Sequence, residues 1–397
     1  MAGPRAHESL IDEDASENLE TIDAPIHFPG CTEPTLGVEL ELSLINKQTR
    51  NLTPQAEFVL EQLNDNSRYT PELFQTIVET NTDVCRTVSE VRQDLNRRLH
   101  HIQSICDTLD IACICTGTHP TADWQTLPTT TLPRYENLVA SMQWPARRLL
   151  ICGVHIHVGV KTGEHAIAIM NSMSVYLPHL LALSASSPYW GGVDTGLASS
   201  RIKIFEGLPT AGLPPAIRNW NQFVQLMRTL RVAGSIKSIR EIWWDIRPHT
   251  GFGTLEIRIC DGVNTVSETC AIVALVQCLC AYLQDRYDRG EPMPTLRHWT
   301  LRENKWRAAR FGLDAHFIRN ERGIQVPLQQ HIRELVQTLT PYSHKLACVD
   351  DLEAVHDILR IGPGYQRQRA MYSNTESFEE ITDALVTELR TGICWHE

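Results

Sequence analysis

The chain has 397 residues, 42% of them hydrophobic, which is enough apolar material for a buried core and gives no sign of wholesale disorder. Its 36 Lys plus Arg against 47 Asp plus Glu leave a net charge of -11, which argues against nucleic acid or an anionic membrane as the main partner. Any anionic ligand therefore needs a local basic site or bound metal ions.

In chain order, the first feature is an acidic lead, HESLIDEDASENLETIDAP, with few large apolar residues. It reads as a disordered or loosely docked extension over residues 1–30, outside a single domain over 31–397. No basic n-region precedes an apolar h-region, so no secretory signal is read and a cytoplasmic protein is expected. GVELELSLI then reads as a strand, and IVETN as a second strand-like run carrying Glu79. TVSEVRQDLNRRLHHIQSICDTLDI reads as a helix, opened by a Thr87/Glu90 capping box and apolar at Val88, Val91, Leu95, Leu99, Ile102, Ile105 and Leu109. IACICTGTHP is a strand running into a loop.

GVHIHVGV precedes a helical stretch from 163 to 187, expected to kink or end near Pro178. GTLEIRICD leads to the helix TVSETCAIVALVQCLCAYLQDRY, capped by Thr265 and Glu268, and helices dominate from there. Apolar runs such as CAIVALVQCLCAYL fall short of the roughly 18 residues of a membrane span, and Gln277 interrupts this one. Irregular mixing of strands with long helices predicts an α+β fold. The 12 cysteines read as reduced core residues, because the pairs Cys113/Cys115 and Cys278/Cys280 lack zinc-site spacing.

Three of the strands alternate in the same way. Glu39, Glu41 and Ser43 oppose Val38, Leu40 and Leu42; His155 and His157 oppose Val154, Ile156 and Val158; Glu256 and Arg258 oppose Leu255, Ile257 and Ile259. Any one such strand is explained by a solvent-facing side. Three together carry mainly acids, imidazoles and an arginine, where an ordinary wet face is rich in Lys, Thr, Ser and Gln. If the strands are neighbours, they line a carboxylate-rich pocket that Glu79 can join. Several carboxylates with one imidazole favour Mg²⁺ or Mn²⁺ over Zn²⁺, and suit phosphoryl transfer from a nucleotide. No Walker A or Gly-x-Gly-x-x-Gly sequence is present, so phosphates would be held through metals.

The segments GVELEL, GTHPTADW, PRYENL, QWPARRLLICGVHIHVGV, LLALSASSPYWGGVDTGLASSR, LPTAGLP, DIRP, GTLEIRICD, ENKWRAARFGLDA and GPGYQRQRA together resemble glutamate-cysteine ligase family 2, the YbdK-type carboxylate-amine ligases, from about residue 36 to 370. The resemblance implies a glutamine synthetase-like fold, a curved and mostly antiparallel sheet forming a funnel with helices on its outer face. It also implies ATP-dependent joining of glutamate and cysteine into γ-glutamylcysteine, ADP and phosphate. It places metal ligands at Glu39, Glu41, Glu79, His155 and Glu256, and Arg258 at the phosphate. His157 shares the face by parity but not by resemblance. Arg201 and Arg247 are candidates for substrate carboxylate or phosphate, a structural salt bridge being the alternative for each, for Arg247 with Asp245 or Asp261 for instance. Trp124, Trp144 and Trp190 read as packing residues. The expected partners are small molecules, ATP and amino acids, with a homo-oligomer left open. The rival readings are a same-fold ligase for another acid or amine, a binuclear metallohydrolase using His155 and His157, and a non-catalytic binding protein.

Overall fold

The computed structural model describes residues 26–395. Its centre is a seven-stranded sheet built from β1 (Leu36–Asn46), β2 (Tyr69–Pro71), β3 (Ile77–Asn81), β4 (Ile111–Ile114), β5 (Gly153–Gly159), β6 (Ile246–His249) and β7 (Thr254–Asp261). The order is β2-β3-β1-β5-β7-β6, with β4 also paired to β1, and every pairing is antiparallel. The sheet is open, ending at β2 and β6. The expected α+β class, an antiparallel sheet with helices on its outer face, is the architecture found.

Alternation decides which face is covered. Val38, Leu40, Leu42, Val154, Ile156, Val158, Leu255, Ile257 and Ile259 all lie in the main core cluster with almost no exposure. Each such burial is worth about 2 kcal/mol, so a register slip that exposed the set is strongly disfavoured. The helix Val266–Asp288 backs this core, packing on the helices Val88–Thr108, Gly163–Met173 and Leu328–Lys345 and on β5. It is long and apolar enough to cross a membrane, longer than the apolar run suggests, yet most of it is buried inside the protein.

The capping chemistry differs between the two long helices. At Thr265 the box is complete, with the Thr265 hydroxyl and Glu268 carboxylate each accepting from the other's backbone N–H. At Thr87 only half forms, because the Glu90 carboxylate accepts from Arg86 N at 2.6 Å instead. The stretch after β5 breaks as expected near Pro178, into Gly163–Met173 and Leu177–Ser184 at 65° to one another. Of the expected N-terminal extension, residues 1–25 lie outside the described residues. Phe28 is buried and packs edge-on to Trp220, with ring centroids 5.4 Å apart.

Candidate functional site

The ladders convert strand parity into a two-dimensional array on the face opposite the core. Glu79 stands across from Glu41, then Asn81 from Glu39 and Glu39 from His155. The next row runs Gly37, His157, Glu256, Arg247, and the one beyond it Gly159, Thr254, His249. Cross-strand partners share a face, so register places every acid of the three alternating segments on one surface. A bulge between β5 and β7 lies where Val154 pairs with Cys260 but Ile156 pairs with Ile257. The extra residue on β7 reverses parity, which lets Ile259 and Cys260 both enter the core while Asp261 turns to the polar side.

This face is not an ordinary wet one. His155, His157 and Glu256 are at most 5% exposed, so each charge needs a partner. Glu39 Oε2 lies 2.9 Å from His155 Nδ1 and Oε1 lies 3.2 Å from His157 Nε2. Burial would raise the Glu39 pKa, but these two imidazoles bring it well below the ordinary carboxylate range. His157 Nδ1 meets Thr254 Oγ1 at 2.9 Å; burial opposes its charge, yet Glu39 draws its pKa upward. Glu256 is the most tightly held acid. It accepts from Arg247 Nε at 2.7 Å and from Arg258, and these guanidiniums outweigh burial to hold its pKa well down.

Glu79 is the opposite case. It accepts from Thr70 Oγ1 at 2.8 Å and Asn81 Nδ2 at 3.2 Å, and burial together with Glu39, Glu72 and Glu41 pushes its pKa well up. Two ligand-sized groups form in this crowd: Glu39, His155 and Glu256, and Glu41, Glu79 and His155, each with one donor atom per residue within 4.8 Å of the others. A surplus of carboxylates around one imidazole suits a hard divalent cation such as Mg²⁺ or Mn²⁺.

All five sequence-predicted metal ligands are thus brought together, with Arg258 against the same cluster. Arg247 is also there, bonded to its protein neighbours. It pairs with Glu256, not with Asp245 or Asp261, and donates from its NH1 nitrogen to the carbonyls of Arg240 and Ile242, each at 2.8 Å. Asp245 is held by Lys305 Nζ at 2.5 Å, which also reaches Glu206. Asp261 accepts from Ser187 Oγ, Ser199 Oγ and the backbone N–H of Ser186, which accounts for Ser187 of LSASSPYW and Ser199 of LASSR. Arg201 is 2% exposed; one terminal nitrogen lies 4.0 Å from Asp261 Oδ1, the two lie 3.4 and 3.5 Å from the Arg258 carbonyl, and its Nε has no hydrogen-bond partner among the described residues. Gly153 makes room for it, since a Cβ there would overlap the guanidinium. Trp144 departs from expectation: it is 57% exposed, with Arg148 stacked 4.2 Å from its ring.

Sequence reasoning missed Glu72. It follows the three-residue strand β2, too short for a periodic signal, and burial plus Glu41 push its pKa up to about 7. It missed His249 and Lys305 as well: His157, which packs on His249, and Glu206 and Asp245, which hold Lys305, come from distant segments. Thr254 was available from the parity of β7, since it precedes Glu256 by two residues.

Comparison with known proteins agrees with this architecture. The sequence profile of glutamate-cysteine ligase family 2 matches residues 35–388. A Frankia alni protein provisionally named glutamate--cysteine ligase 2-1 is 44% identical over 374 residues, covering 92% of this chain and 98% of its own length. A Thermobifida fusca protein, provisionally named glutamate--cysteine ligase 2, is 44% identical over 373 residues, covering 92% and 94%. Among solved structures, the glutamate--cysteine ligase of Francisella tularensis in complex with AMP superposes with a TM-score of 0.67 at 13% identity, over 92% of this chain and 90% of that one. That identity speaks for the fold.

Proposed function

The chain belongs to glutamate-cysteine ligase family 2, and on that premise we propose that it joins a carboxylic acid to an amine with ATP as the activating substrate. Glutamate and cysteine are the pair to which its relatives' names point. The observation that carries the reading is the convergence of Glu39, Glu41, Glu79, His155 and Glu256 beside Arg258 on one half-buried face.

An amine does not displace oxide from a carboxylate at neutral pH, so the acid must first be activated. In the first half-reaction an oxygen of the glutamate γ-carboxylate attacks the γ-phosphorus of ATP, and ADP leaves. In the second the cysteine amine attacks the acyl phosphate carbon and phosphate leaves, the amine having shed its proton. Bound Mg²⁺ or Mn²⁺, held by the two carboxylate-imidazole groups, supplies neutralisation of the phosphate charge. Arg258 places a second, permanent positive charge at the transferring group. Arg247 fixes the Glu256 carboxylate in both position and charge, and His157 does the same for Glu39. Arg201, buried and incompletely satisfied, is the candidate for an acid-substrate carboxylate. Burial of the face keeps water from the acyl phosphate.

The hydrolase alternative required two histidine ligands. Both nitrogens of His157 are engaged, by Glu39 and Thr254, which leaves His155 as the available imidazole. The test is phosphate release from ATP with Mg²⁺ and glutamate, with and without cysteine, followed by mass analysis. Cysteine-dependent release with γ-glutamylcysteine at a matching rate supports the full proposal. Release that depends on a different amine or acid retains the ligase mechanism and changes the substrate; no ATP turnover with any pair rejects it.

A further inference from the structure

The row of the polar face beyond Glu256 contains an aromatic device that the chemistry above does not use. His249 pairs across from Thr254 at the end of β6, so it lies on the same face as Arg247 and Glu256. Its ring stacks on Phe252 with centroids 4.2 Å apart and planes within 12°. His157 packs edge-on against both, at 5.4 Å from His249 and 5.8 Å from Phe252. A continuous ladder of rings therefore runs from a partner of Glu39 to the tip of the β6–β7 hairpin. Phe252 ends the ladder and is 45% exposed, although His249 covers one of its faces.

The exposed ring is held in place by backbone. The Phe252 N–H donates to His249 Nδ1 at 3.3 Å, and Gly253 N donates to the His249 carbonyl at 3.0 Å. Gly253 has φ +68°, and a Cβ there would come within 2.9 Å of Gly30 N, so the tip is pressed against the segment that follows Phe28. The Gly253 carbonyl accepts from Val160 N at 3.2 Å, and the Val160 carbonyl from Cys31 N at 2.7 Å. Burial, with His157 beside it, lowers the His249 pKa to about 3, so the inner ring is neutral and offers a π-face. A large aromatic fixed this firmly with a free face is a preorganised stacking surface.

We propose that the His249–Phe252 pair is the platform on which the purine ring of the nucleotide stacks while its phosphates reach the acidic cluster. The inference rests on the ATP reading of that cluster. Thr254 and Glu256 are two residues apart on β7, roughly 7 Å along the strand, a gap that a ribose and a phosphate chain bridge. Base stacking on an aromatic side chain tolerates any base, so the platform supplies affinity and orientation, with base identity read elsewhere.

The test compares the binding of Mg²⁺-ATP and of Mg²⁺-tripolyphosphate, which has no base, to the wild type, Phe252→Ala and Phe252→Trp, by calorimetry without turnover. Phe252→Ala is expected to lose about 5-fold to 100-fold in ATP affinity with tripolyphosphate binding unchanged, and Phe252→Trp to keep ATP affinity. Tripolyphosphate serves as the control for folding and for the cluster. Equal ATP affinity in Phe252→Ala and wild type overturns the platform, as do parallel losses for both ligands. A wild type that binds neither ligand overturns the ATP reading itself, and the platform with it.

Discussion

Glu39 stands directly across the sheet from His155 and reaches the next histidine of β5 as well, its two oxygens lying 2.9 Å from His155 Nδ1 and 3.2 Å from His157 Nε2. One carboxylate thereby orients both imidazoles, and the two residues that share its charge sit on a single strand. The contrast with Glu79, whose donors are a hydroxyl and an amide, divides the cluster into acids paired with charged or imidazole groups and acids crowded by other carboxylates.

That division makes Glu79→Gln more informative than Glu256→Gln. A glutamine at 79 can keep the Thr70 contact and, with its amide turned, removes a charge that Glu39, Glu41 and Glu72 oppose. The metal-free variant should melt higher, by on the order of 2 °C, yet lose at least about 100-fold in Mg²⁺-dependent turnover. Calorimetry and phosphate release on the same preparation check both halves. Glu256→Gln, by contrast, strands the buried Arg247 and the partly buried Arg258 and confounds activity with stability.

Metal stabilisation should depend on pH in a definite sense. Glu79 and Glu72 have folded-state pKa values raised above 4.5, the latter to about 7. They bind protons more tightly folded than unfolded, so their contribution is full below about pH 4.5 and is lost as pH rises, for Glu72 through about 7. Glu39 and Glu256 are shifted the other way, and their contribution is lost only as pH falls well below 4.5. Mg²⁺ competes with protons for the crowded acids, so the rise in Tm on adding it should be larger at about pH 8 than at about pH 5.5. An equal rise at both would count against the carboxylate cluster as its binding site.

The two arginines beside Glu256 should separate by phenotype. Arg247→Ala leaves a buried carboxylate half-paired and two carbonyls without donors, and should cost about 3 to 5 kcal/mol of stability. Arg258→Lys keeps a charge near Glu256 but loses the planar fork, and should lower kcat by about 100-fold or more with a much smaller change in urea midpoint.

Gly153 provides a test of Arg201 that leaves the arginine in place. A Cβ at 153 would overlap the Arg201 guanidinium, so Gly153→Ala must displace it. The expected result is a rise in KM for the acid substrate of about 10-fold or more, with KM for ATP little changed; an unaltered KM for the acid would place Arg201 outside substrate recognition.

What the sequence by itself determined was parity. The alternation in GVELELSL, GVHIHVGV and GTLEIRICD puts each acid, imidazole and arginine opposite an apolar row, because successive side chains of any strand point to opposite faces. Burying the apolar row then leaves those groups together on the other side, and the helix caps at Thr87 and Thr265 are equally local. Register, and everything that follows from it, belongs to the tertiary structure. Which strands adjoin, the bulge that turns Asp261 toward the serines, the pairing of Arg247 with Glu256 instead of Asp245, and the arrival of Glu72 beside Glu41 all join residues from different segments. Such contacts are chosen by the packing of the whole core and by the requirement that each buried charge find a partner, and no short stretch of sequence carries that information.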